Sequence, residues 1–198
     1  MFREDVSGLT RLATVLGAAL HERDAYTCQH GDRVMQVALA VGRSIGLDSE
    51  ELGRLHAAAM LHDIGKIGIP DEVLLNPGML DPAQRAIMRS HAERGEKILR
   101  AISGDDALAV AEAVRHHHEE FDGSGYPDQL GGEDIPVLSR IISIADNYDA
   151  IASQRVYHGS RDHDYVIGVM HQENGQKHDP YLLGKFMDVI ERSPLRVT

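Results

Sequence analysis

Apolar residues recur three or four positions apart along this chain, with no sustained alternation of period two. That spacing commits the chain to helices, because it gathers apolar side chains on one face of a 3.6-residue turn. Leu9, Leu12, Leu16, Ala19 and Leu20 form such a face between Ser7 and about Tyr26. His30, Val34, Val37, Ala38, Val41 and Ile45 form a second, with Thr27 as its expected cap and Gly46 where a C-terminal stop belongs. Asp48 and Glu51 have the form of a capping box and open a third helix through Leu52, Leu55, Ala59 and Leu61. Asp81-Pro82, Pro136 and Asp179-Pro180 mark further starts, since proline at a first helical position loses no hydrogen bond. The expected fold class is all-α, a helical bundle of roughly seven or eight helices. The 198 residues suit one domain, 1–198, with its core over about 9–190 and no sensor or receiver domain.

Charge narrows the function classes. Twenty Lys and Arg stand against 31 Asp and Glu, for a net −11, which argues against long nucleic acid and polybasic membrane contact. No apolar run reaches the ~18 residues of a spanning helix. Met1-Phe2-Arg3-Glu4-Asp5 does not start a signal peptide, and the single Cys28 suits a reducing compartment, so a cytoplasmic location is expected. Twelve histidines beside three Phe and no Trp are out of pattern. They fit a metal-rich protein, a pH-responsive one or merely a polar surface.

Their placement bears on that choice. The pair His62-Asp63 with Lys66 beyond it would alone read as a core histidine and an exposed aspartate. However, His30, His91, the run His116 to His118 before Glu119, and Asp146 in the apolar stretch Ile141-Ile142-Ser143-Ile144-Ala145 add to it. A carboxylate in that last setting must be paired or ligated, since a lone buried charge is costly. Several helices each turning an imidazole or carboxylate inward is how a dinuclear site is built in a bundle. Spacing alone leaves metal and non-metal readings evenly balanced. Two glycine- and proline-rich stretches, 67–78 and 122–136, interrupt the helices and have the composition of functional loops.

The strings His62-Asp63-Ile64-Gly65-Lys66-Ile67-Gly68-Ile69-Pro70, His117-His118-Glu119, Asp122-Gly123-Ser124-Gly125-Tyr126-Pro127, Ile135-Pro136 and Asp146-Asn147-Tyr148-Asp149-Ala150 occur in that order. In these the chain resembles the HD-GYP phosphodiesterases, a bacterial branch of the HD metal-dependent phosphohydrolases, from about Leu9 to Phe186. The resemblance implies His30, His62, Asp63 and Asp146 as the core metal ligands. It implies His91, His117 and His118 as the additions that make a second position, with Asp63 bridging and His116 an extra helix-face residue. Where a three-metal branch carries a glutamate one turn before the first ligand, this chain has Tyr26, whose phenol is protonated to pKa ~10. Two divalent ions are therefore expected, Fe or Mn favoured, with Zn or Ni also suited.

The implied reaction is hydrolysis of cyclic di-GMP to linear pGpG, with GMP as a further product left open, by a hydroxide bridging the metals. Lys66 and Asp63 take the catalytic roles, and Arg155, Asp149, Tyr126, Pro127 and Lys66 face substrate. Beyond cyclic di-GMP, a homodimer through the N-terminal helix and a diguanylate cyclase or regulatory partner through the GYP loop stay open as partners. Departures from the family pattern are Gln154 for an aspartate, His158 for a basic residue and His178 for a phenylalanine. Alternatives are the same chemistry on another cyclic dinucleotide, or a catalytically weak nucleotide-sensing module. Retention of every implied ligand and of Lys66 weighs against the latter.

Overall fold

The computed structural model describes residues 6–23, 25–153 and 163–196. Among these residues the chain is all-α, as expected, and carries no strand beyond one isolated bridge between Asn174 and His178. The helices are α1 (Val6–His21), α2 (Ala25–Ser44), α3 (Ser49–Leu61), the one-turn α4 (Asp71–Leu74), α5 (Pro82–Arg89), α6 (His91–Leu99), α7 (Asp105–Arg115), α8 (Val137–Ser153), α9 (His163–Gln172) and α10 (Pro180–Ile190). Nine of them are eight residues or longer, against the expected seven or eight. A break at Ser90 adds to the count, dividing what reads as one helix into α5 and α6.

Local signals set several boundaries. Asp48 accepts from the amides of Glu50 and Glu51 while Glu51 returns a bond to the Asp48 amide, closing the anticipated capping box. Asp81 and Gln84 repeat the device ahead of Pro82. Gly46 stops α2 with φ 82°, where Leu47 N donates to Gly42 O and Gly46 N to Arg43 O, the paired bonds of a Schellman ending. One expectation fails. Thr27 lies inside α2, which begins two residues earlier at Ala25. A threonine cap is worth only about 1 kcal/mol and yields readily to tertiary packing.

Helices α2, α3, α7 and α8 enclose the core, in which Val34, Ala38, Val41, Leu55, Ala58, Val114, Ile141 and Ile144 are fully buried. Alanines on α3 and α7 let these helices approach closely. Their ends then deliver polar side chains to one point, beside which residues 119–136 form a glycine-rich loop. No helix among the described residues is long and apolar enough to cross a membrane.

Candidate metal centre

Three histidines at helix ends solve the same local problem. The last carbonyls of an α-helix have no amide partner within the helix. His62, just past α3, sets its Nδ1 2.7 Å from Ala59 O. His91, just past α5, sets Nδ1 2.8 Å from Met88 O, and His117, just past α7, sets Nδ1 2.6 Å from Val114 O. A carbonyl only accepts, so each Nδ1 carries the proton and donates it. The tautomer is thereby fixed, and each Nε2 presents a lone pair. The negative ends of three helix dipoles favour a cation where they meet.

They do meet. Nε2 of His91 and Nε2 of His117 are 3.4 Å apart, two lone pairs with no proton between them. Nε2 of His62 is buried with no hydrogen-bond partner. Unsatisfied buried acceptors are costly, and a divalent cation satisfies several at once. The donor set therefore fits a metal. His91, His117 and His118 bring ligand atoms within 4.8 Å of one another, and so do His30, His62 and Asp63.

Asp63 joins the two groups. Its Oδ1 is 3.5 Å from Nε2 of His91, and its Oδ2 is 3.5 Å from Nε2 of His62. Local sequence explains the position. The chain leaves α3 at Leu61, and Asp63 precedes a 3₁₀ turn over Ile64–Gly68, in which residues three apart eclipse. Lys66 thus lies over Asp63, with Nζ 2.6 Å from Oδ2. Gly65 lets this turn press on α6: a Cβ there would lie 1.8 Å from His91 O and 2.6 Å from Gly95 N. Only with glycine at 65 do Asp63 and His91 come together.

His30 and Asp146 complete the first group. His30 sits between carboxylates, Nε2 3.0 Å from Asp146 Oδ1 and Nδ1 2.7 Å from Asp149 Oδ2. Burial works to lower the His30 pKa, but the bonds to Asp146 and Asp149 prevail and raise it to about 9. Asp146 is correspondingly held below the usual carboxylate range: burial opposes this, and the His30 hydrogen bond with the neighbouring imidazoles outweighs burial. Asp63 is likewise held low against its burial, by Lys66, His62 and His91. The second group behaves oppositely. Burial pushes His91 and His117 down and His118 down to about 3, so these imidazoles stay neutral and able to ligate.

Asp149 differs from its expected substrate-side position. It is buried behind His30 and pinned by Arg33, whose Nε reaches Oδ1 at 2.5 Å and whose Nη2 reaches Oδ2 at 2.9 Å. It holds the His30 ring from behind, the place a carboxylate takes behind an imidazole that ligates metal. Tyr126 does face the site. It stacks on His118 with centroids 4.8 Å apart and lines a cavity of about 360 Å³ together with His30, Asp63, Lys66, His91 and Asp146. Burial raises its phenol pKa, so the ring stays neutral. The Tyr126–Pro127 peptide is cis, and Pro127 belongs to the same loop. Arg155, Gln154 and His158 lie outside the described residues, as does the side chain of Tyr26.

The loop is held by residues the sequence reading left without a role. Buried Glu119 accepts from the amides of Asp128 and Leu130, at 2.6 and 3.2 Å. Asp128 receives Arg115 through two bonds of 2.6 and 2.8 Å and lies 2.8 Å from His116 Nε2. His116, expected as an extra helix-face residue, is a buried loop anchor. Gly125 is required, since a Cβ there would fall 2.3 Å from Glu120 N. Carboxylates spaced nine residues from the amides they bind were the available signal, and it is a weak one.

The bundle gathers histidines and aspartates from five helix segments onto one cavity, a donor set that could hold metal in an all-α domain. The sequence pattern described as the HD domain matches residues 14–182, and the chain belongs to that family. It is 38% identical over 178 residues to the cyclic di-GMP phosphodiesterase response regulator RpfG of Xanthomonas campestris pv. campestris, covering 90% of this chain and 45% of that protein. It is 35% identical over 168 residues to 3'3'-cGAMP-specific phosphodiesterase 2 of Vibrio cholerae, covering 85% and 32%. Among solved structures, the cyclic GMP-AMP specific phosphodiesterase V-cGAP3 of V. cholerae shares the fold, with a TM-score of 0.71 at 21% identity over 94% of this chain and 50% of the other. The chain spans half or less of the length of these relatives.

Proposed function

We propose that this chain is a metal-dependent phosphodiesterase of the HD-GYP type that hydrolyses cyclic di-GMP to linear pGpG. The observation that carries the reading is the pair of facing Nε2 atoms of His91 and His117 with the Asp63 carboxylate spanning from them to His62. His30, His62, Asp63 and Asp146 would hold one divalent ion, and His91, His117, His118 and Asp63 the other. Ions held there supply Lewis acidity, acidifying water and offsetting phosphate charge. The chain's own groups do the rest. Lys66 keeps its ammonium beside Asp63, where that charge serves the phosphate as a P–O bond to water forms and the P–O3' bond breaks. Lys66 Nζ gives a proton to the leaving ribose oxygen, and the proton shed by the attacking water restores the ammonium. Tyr126, with one face on His118, shapes the entry to the cavity.

A second reading keeps the chemistry and changes the substrate to 3'3'-cGAMP, supported by the relatives named for that nucleotide at 35% and 32% identity. Protein purified without oxygen and supplied with Mn²⁺ or Fe²⁺ is assayed against both dinucleotides by product chromatography. Linear pGpG from cyclic di-GMP at the higher kcat/KM is the expected result. Metal-replete protein that cleaves neither dinucleotide would overturn both readings.

A further inference from the structure

Several arginines of the described residues face carboxylates. Arg33 is tied to Asp149, Arg54 to Asp106, Arg115 to Asp128 and Arg140 to Asp179. Arg89 is different. It is exposed at the end of α5, and its Cζ stands 4.9 Å from the centroid of the Tyr126 ring. No carboxylate of the described residues pairs with it, although acidic residues outnumber basic ones 31 to 20. Its neighbour Met88 and, two residues on, His91 both line the cavity, as does Tyr126 itself. An unpaired cation is thus held over an aromatic ring at the rim of a site reading as a phosphate centre.

A guanidinium stacked on a ring is engaged through its flat face, which leaves its in-plane N–H donors directed outward. That fork matches two phosphate oxygens. The cavity, at about 360 Å³, lies at the small end of ligand sites, so a dinucleotide with one phosphodiester inside carries the rest of its ring across the rim. We infer that Arg89 binds the phosphodiester that is not being cut, using Tyr126 as its platform, and so selects cyclic dinucleotides over simple diesters. This rests on the proposed phosphodiesterase reading and assigns the second phosphate of its substrate.

The test compares metal-loaded wild type, Arg89→Ala and Arg89→Lys on cyclic di-GMP and on bis(p-nitrophenyl) phosphate, which has one phosphodiester and no second phosphate. Arg89→Ala should raise KM for cyclic di-GMP about tenfold, with kcat within about twofold and no change on the simple diester. Arg89→Lys should recover part of the loss, since charge is kept and the fork is not. Equal losses on both substrates, or no change on either, would overturn the assignment. Wild type that cleaves the simple diester but no cyclic dinucleotide would instead sink the functional reading, and the Arg89 assignment with it.

Discussion

The two halves of the centre use the same imidazole ligands in opposite electrostatic settings. Around His30 the histidine is clamped between Asp146 and Asp149, and its proton is bound more tightly than in water. Around His91, His117 and His118 the imidazoles are neutral and face one another. The first half balances its charges internally, so an incoming cation must displace a proton from His30. The second half has lone pairs with nothing to receive, and its stability depends more on a cation. Among the described residues, Asp63 is the carboxylate whose two oxygens approach both. Two donor groups of unequal character, joined through one carboxylate, are what this arrangement teaches.

Breaking the coupling should have the largest effect. Asp63→Ala removes the shared ligand, and loss of hydrolysis by ~10³-fold or more is expected, with reduced metal content. Activity near wild type would show that the halves do not share a carboxylate. Next is Gly65→Ala, which acts without altering any side chain of the donor set. Its Cβ would collide with His91 O, so the turn must withdraw from α6 at a cost of about 3 kcal/mol. Thermal melting should show the loss, and metal content should fall as Asp63 parts from His91. Asp149→Asn tests the first half alone, since the amide keeps the shape while weakening the hold on His30. Metal titration should show affinity there lower by about 10- to 100-fold, with the His91 half unchanged.

The pH response of metal-free protein separates the halves by sign. His30, raised from 6.5 to about 9, contributes stability that is complete below about 6.5 and is lost as pH rises through about 9. His118, lowered to about 3 by burial, costs nothing above 6.5 and destabilises as pH falls from about 6.5 toward 3, because only the unfolded chain takes the proton. Stability should therefore peak near pH ~6.5 and decline on both sides by up to about 1.4 kcal/mol per pH unit for each group. His30→Gln should flatten the alkaline limb and His118→Gln the acid limb. The same limb flattened by both would erase the contrast between the halves.

What was legible in the sequence was what is local. The caps at Asp48 and Asp81 and the stop at Gly46 depend on residues within four positions, and they stand where expected. The histidine and aspartate strings were legible through family resemblance, not through spacing, which left the metal undecided. The structure brings His30, His62, Asp63, His91, His117, His118 and Asp146 together. Contacts across the fold were invisible: Asp149 behind His30, Glu119 and Asp128 holding the loop, and Arg89 over Tyr126. Each joins residues whose separation in the chain carries no periodic signal. The break at Ser90 escaped because no glycine or proline marks it.

The central claim is that two unequal ion positions share Asp63, and metal counting tests it most directly. Anaerobically purified wild type, analysed for bound metals per chain beside His91→Ala and Tyr26→Glu, should hold two divalent ions. His91→Ala should retain about one, in the His30 half, and Tyr26→Glu is the variant in which a third has a carboxylate to bind. Three ions in the wild type, or loss of both in His91→Ala, would contradict the account.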